Sequence, residues 1–218
     1  MRPIRWGAAL CTLTTLCTLT EFAVIAQQGK PTKKSNTQSV VKKPEGALID
    51  KPVQDFKLID LMHEKKDSDK PDAAKIAFSD YRDKKNIVLF FMSEQCDVTW
   101  RYEKRMGQLM QQYGKKDIAF FGVRCSANDT PQSICKFAES KNFVMPVLND
   151  ANGLMTSYFH VTNTPSFVLI DKKGVMRYFG SFDDDAEEKT ATKRYLPDAI
   201  DATLADKIVS IKQTMPFG

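Results

Sequence analysis

Six consecutive apolar residues, Ile87-Val88-Leu89-Phe90-Phe91-Met92, leave little choice of fold, because side chains on both faces of such a strand must be buried. The strand belongs at the centre of a sheet with helices on either side. It ends in Ser93-Glu94-Gln95-Cys96, after which Val98, Tyr102, Met106, Leu109 and Tyr113 recur at helical spacing. A cysteine therefore stands at a strand-to-helix junction, where backbone N–H groups and the helix dipole favour a thiolate. That dipole stabilises an anion by about 0.3–1 kcal/mol, and up to about 2 kcal/mol in partly buried settings. This is enough to bring a thiol from about 8.5 toward about 7. Glu94 and Asp97 oppose the effect, as would apolar burial, and Arg101 offsets them if its side chain folds back. The competing reading of Cys96 is an inert cysteine packed as a small hydrophobe.

The remaining pattern extends the sheet. Asp55–Leu58 and Ile76–Phe78 read as early strands on either side of a charged loop, His63 to Lys75. Ile118–Val123 is the next buried strand. Thr130 reads as an N-cap and Pro131 as the first residue of a helix running through Lys141. Val144–Leu148 contains Pro146 and suits an edge strand or a loop against the core. A short helix around Leu154–Phe159 follows. Phe167–Ile170 and Val175–Phe179 flank Asp171-Lys172-Lys173-Gly174, a hairpin signal. The acidic stretch 183–188 reads as a solvated loop, and Leu196, Ile200, Leu204, Ile208 and Ile211 as one terminal amphipathic helix. This order predicts an α/β chain: a mixed sheet covered by helices on both faces, in three layers α/β/α.

The first fifty residues stand apart. Arg2 and Arg5 precede an apolar stretch and Val24-Ile25-Ala26, so residues 1–26 read as a secretory signal, with an uncleaved membrane anchor as the competing reading. Residues 27–50 are Lys-rich and free of aromatic residues, a composition that makes a flexible linker. Residues 51–218 form the folded domain. The expected location is periplasmic or extracellular, with membrane contact only through an uncleaved signal. The net charge of +5 is partly carried by those first segments, and no basic stripe interleaves with aromatics, so no nucleic-acid partner is indicated. Removing the signal leaves three of five cysteines, Cys96, Cys125 and Cys135. In an oxidising compartment an odd number implies a reactive thiol beside at most one bridge. Paired C-x-x-C units are absent and the only imidazoles are those of His63, read as a solvated loop residue, and His160, read as a partly buried structural residue. Neither a metal nor a cofactor is expected.

The order of elements, the cysteine at the first long helix and the Thr164-Pro165 step resemble the thioredoxin fold. Within it, Val88 to Cys96, Arg101-Tyr102, Pro146 to Asp150 and Thr164 to Asp171 are similar to the exported redoxins of the alkyl hydroperoxide reductase/thiol-specific antioxidant superfamily, over residues 51 to about 214. The resemblance implies a cis bond at Pro165 beside the thiol, with backbone nearby to pair with an extended substrate. It also implies a thiol oxidoreductase. Cys96 would attack a disulfide or hydroperoxide, Ser93 and Thr99 would orient it by hydrogen bonds, Pro165 would shape the groove, and an external thiol would be the reductant. The chain departs from its relatives in two ways. Thr99 stands where a dithiol thioredoxin has its second cysteine. Against the peroxiredoxins, Leu89 stands at the proline position and Ser93 supplies the hydroxyl ahead of the cysteine, while the nearest arginine after Thr164-Pro165 is Arg177. Cys135 is a candidate resolving thiol, resembling some atypical two-cysteine peroxiredoxins; a Cys125–Cys135 bridge competes with it. The alternatives to a general thiol oxidoreductase are thus a peroxiredoxin-like peroxidase resolved by Cys135 and a non-catalytic binding module that keeps the groove.

Overall fold

The apolar run Asn86–Met92 forms β3, buried at every residue. In the computed structural model, which describes residues 49–64, 74–187 and 189–218, it is the middle strand of a five-stranded sheet. The expected secretory signal, nearly all of the expected linker, most of the charged loop 63–75 and Glu188 lie outside the described residues.

In the sheet, β3 pairs in parallel with β4 (Ile118–Arg124), and β4 in parallel with β5 (Val147–Asn149). On its other side β3 pairs antiparallel with β6 (Ser166–Ile170), and β6 with β7 (Met176–Gly180), giving the order β5-β4-β3-β6-β7. A separate hairpin joins β1 (Lys57–Ile59) to β2 (Lys75–Ala77). Leu61–Glu64 makes the single turn α1. Alternation along β3 divides the core. Val88, Phe90 and Met92 face a cluster built by α3 (Glu103–Tyr113), α4 (Pro131–Ser140) and α6 (Tyr195–Leu204). Ile87, Leu89 and Phe91 face a second cluster with α5 (Leu154–Tyr158), Phe56 and Phe78. This is the three-layer α/β/α thioredoxin-like arrangement. Phe90 and Phe167, opposite each other across β3 and β6, stack with centroids 5.0 Å apart. Each buried phenylalanine of this kind contributes about 1.5–3 kcal/mol.

Three elements depart from the sequence reading. The helix expected to run unbroken through Val98 and Tyr113 is split. Asp97–Trp100 forms α2, then Arg101 N and Tyr102 N donate to carbonyls three residues back, Val98 O and Thr99 O, at 3.2 Å each. This tightened turn re-aims the chain so that Tyr102 enters the core before α3 starts. The terminal helix stops at Leu204. Lys207 N folds back to Ala202 O at 2.8 Å and Asp206 takes a left-handed φ of 53°. Ile208 is consequently 84% exposed, although its spacing matched the apolar face. The acidic stretch is not uniformly solvated: Asp183 is buried against Arg105.

Short stretches also lie along the outer strands. Asp60 pairs with Leu148 of β5, and its carboxylate accepts from Val147 N at 3.0 Å. Asp50 and Lys51 hydrogen-bond to Met176, and Lys212 and Thr214 to Phe179, along the outer side of β7.

Candidate active site at Cys96

The site lies at the carboxyl ends of β3 and β4, where parallel strands deliver loops to one end of the sheet. Four hydrogen bonds fix the turn between Met92 and Cys96. Ser93 Oγ donates to Asp129 Oδ1 and Glu94 N to Asp129 Oδ2, both at 3.2 Å; Gln95 N donates to Ser93 Oγ at 3.1 Å and Cys96 N to Ser93 O at 3.3 Å. Ser93 therefore shapes the turn rather than touching the sulfur. Asp129, fully buried, clamps it; burial is the main reason its carboxyl titrates above the usual range. Arg124 secures the next segment by donating to the Asp129 carbonyl at 2.7 Å and to Asn149 Oδ1 at 2.9 Å. Sequence reading missed Asp129, whose role depends on a contact 36 residues away.

Cys96 is the N-cap of α2 and half-buried, and its thiol donates to the carbonyl of Thr164 at 2.9 Å. The Thr164–Pro165 peptide is cis and Pro165 is buried. Cys96, Thr99 and the Pro165 turn thus meet at one point. Burial pushes the Cys96 thiol up, but hydrogen bonding from the Thr164 side chain, the Thr99 amide and hydroxyl, and the Val98 amide outweighs it, and the thiol titrates below the usual range of a cysteine. A helix dipole is not the main source of this shift, because α2 has only four residues. Local donors replace it. Thr99 Oγ1 is fully buried and, among the described residues, without an acceptor beside the neutral thiol, so ionisation of the sulfur supplies one. Arg101 does not fold back; it lies 3.9 Å from Glu187.

The other sulfurs sit differently. Cys125, just past β4, donates to Met92 O at 3.5 Å and belongs to the cluster containing Phe91 and Val123. Burial, then the charges of Asp129 and Asp150, push it up to about 12. Cys135 is buried in α4 within the opposite cluster, so Cys125 and Cys135 lie on different faces of the sheet. Arg177 pairs with Asp171 at 2.8 Å and Asp50 at 3.0 Å, near the far end of the sheet from Cys96. His160, read as partly buried, is exposed with φ 55°, since it ends α5 in a left-handed turn. A second contact also escaped the sequence reading: Gly218 packs against Thr164, and Asn163 Nδ2 donates to Gly218 O.

Residues 49–179, more than half of the chain, match the model of the AhpC/TSA family. The chain belongs to that family. No curated protein sequence matches it significantly. Among solved structures it is similar to a hypothetical protein of Sinorhizobium meliloti 1021 (20% identity, TM-score 0.67, covering 80% of this chain and 93% of that one). It is also similar to an uncharacterized conserved protein of Geobacillus kaustophilus (20%, 0.66, 78% and 88%). A Chlorobium tepidum protein assigned as a thiol:disulfide interchange protein DsbE gives 19%, 0.57, 73% and 99%. These likenesses establish the fold, and with the family match they make the chain a member of a thiol-dependent oxidoreductase superfamily.

As an AhpC/TSA family member with one thiol lowered and another raised, the chain has a sharp labelling pattern. With iodoacetamide at pH 7.5, Cys96 is expected to be modified at least 100-fold faster than Cys125. The Cys125 rate should rise about tenfold per pH unit toward pH 12, following its thiolate fraction. Mass mapping of alkylated peptides reads both rates, and comparable labelling at pH 7.5 would contradict this account.

Proposed function

We propose that the protein is a monothiol disulfide-exchange protein in which Cys96 is the catalytic residue. The reading is carried by one observation: a thiol titrating below its usual value, half-buried and 2.9 Å from the carbonyl that precedes cis-Pro165. The Cys96 thiolate attacks one sulfur of a disulfide in line with the S–S bond. That bond breaks, a Cys96–substrate disulfide forms, and the departing thiolate takes a proton from water. An external thiolate then attacks the substrate sulfur of that mixed disulfide, forming a disulfide with it and expelling Cys96 as the free thiolate.

Among the described residues no second thiol is suited to that second step. Thr99 occupies the position of a short-range second cysteine, Cys125 is almost entirely protonated at neutral pH, and Cys135 is buried in the opposite cluster. The interchange activity assigned to the Chlorobium tepidum protein supports the same class of reaction. Disulfide exchange is favoured over peroxide reduction because Arg177 is engaged by two carboxylates away from the thiol.

The test is incubation of reduced protein with hydroxyethyl disulfide at pH 7.5, acid quench and peptide mass spectrometry. The expected product is one hydroxyethylthio adduct, on Cys96, removed by added dithiothreitol. An adduct confined to Cys125 or Cys135, or none at all, defeats the proposal.

A further inference from the structure

The backbone beside the thiol is already covered by part of the chain. Past α6 the chain lies along β7: Phe179 N donates to Lys212 O and Thr214 N to Phe179 O, both at 3.0 Å. Thr214 Oγ1 accepts from Ser181 N at 2.9 Å and meets Tyr178 OH at 2.8 Å. Gly180, at φ 152°, makes this approach possible, since a Cβ there would sit 2.1 Å from Thr214 Oγ1. The anchored segment then reaches Gly218, at φ 137°. A Cβ on Gly218 would sit 2.1 Å from Thr164 O, 3.0 Å from its carbonyl carbon and 3.4 Å from its nitrogen. Thr164 O is the same oxygen that accepts the Cys96 thiol. One peptide unit therefore has sulfur on one side and the Gly218 backbone on another.

We infer that segment 212–218 restricts Cys96 to compact, low-molecular-weight disulfides by covering the Thr164 backbone against which a polypeptide disulfide would have to lie. This inference rests on the thiol-exchange reading above. A small disulfide needs only room for its two sulfurs in line with Cys96 Sγ. A cystine within a polypeptide brings extended backbone on both sides of the attacked sulfur. That backbone competes with Gly218 for Thr164, and displacing Gly218 costs its hydrogen bond from Asn163. In either case the balance is the same: the Cys96 thiolate joins one substrate sulfur, and the other leaves as a thiolate that takes a proton from water.

Gly218→Ala tests the inference, because the added methyl cannot fit against Thr164 and a non-glycine residue is strained at this φ. Formation of the Cys96 adduct is timed with hydroxyethyl disulfide and with an unstructured 20-residue peptide dimerised through one cysteine. Wild type should favour the small disulfide at least tenfold beyond the ratio given by free cysteine. Gly218→Ala should raise the peptide rate at least fivefold and leave the small-disulfide rate within twofold, and Asn163→Ala should move the ratio in the same direction. An unchanged ratio in both variants overturns the inference. If Cys96 reacts with neither disulfide, the exchange reading fails by itself. The size filter is then judged by alkylation with iodoacetamide against a maleimide carried on the same peptide: a ratio that falls in Gly218→Ala sustains it, and an unchanged ratio overturns it.

Discussion

Cys96→Ser is expected to abolish disulfide exchange, lowering the rate with hydroxyethyl disulfide by about a thousandfold or more. The residual rate falls to Cys125, which at about 12 is ionised in only about one molecule in 100,000 at pH 7. The Cys96 thiol, lowered where Cys125 is raised, keeps a far larger thiolate fraction at the same pH. The serine hydroxyl can still donate to Thr164 O, so the thermal midpoint should barely move. This separates lost chemistry from lost structure. Retention of more than a tenth of the wild-type rate would remove Cys96 from its proposed role. Thr99→Ala gives a graded companion: without the hydroxyl that awaits the thiolate, the pH profile of Cys96 alkylation should shift upward.

The second large effect is on stability. Asp183→Ala should cost about 3–5 kcal/mol, because it strands a buried guanidinium. Arg105 Nη1 donates to both Asp183 oxygens, at 2.8 and 2.9 Å, and to Asp185 O at 2.7 Å, while the guanidinium lies 3.8 Å from the centre of the Tyr102 ring. Both side chains of the pair are about 5% exposed. In a domain of this size that loss corresponds to a drop in Tm on the order of 10 °C. Calorimetry of the variant reads it directly, and a loss below about 1 kcal/mol would mean that water reaches Arg105 once Asp183 is gone. The exposed Arg101–Glu187 pair, at 3.9 Å, provides the contrast: breaking it should change stability little.

How much of this was legible in the residues depended on the range of the interactions. β3 was visible because burial on both faces imposes an unbroken apolar run, and α4 because Thr130 caps its first turn ahead of Pro131, a cap that Ser133 completes at 3.0 Å. Cys96 stood out because strand and helix periodicities meet there. The break after Trp100 was hidden: Tyr102 continues the helical spacing while packing on Phe167 and Phe182. Ile208 and Ile211 misled in the opposite way, continuing a pattern past the point where Asp206 turns the backbone. Asp129 and Gly218 hold the site through distant partners, among them Ser93 at 36 residues and Asn163 at 55, which no local period encodes. The backbone N–H groups expected at the junction do serve Cys96, but the long-helix dipole does not, because a four-residue turn offers individual N–H and O–H donors in its place.

The stretches that flank the sheet have a consequence for solution behaviour. An open sheet normally ends in two rims of vacant peptide donors and acceptors, which neighbouring molecules can extend into fibrils. Here one rim is only three residues long and is stoppered by the Asp60 carboxylate on Val147 N, while the other is sheathed at one end by Asp50 and Lys51 and at the other by Lys212 and Thr214. At these positions of the five-stranded sheet the edge donors and acceptors are already engaged, so another strand cannot pair there without first displacing them.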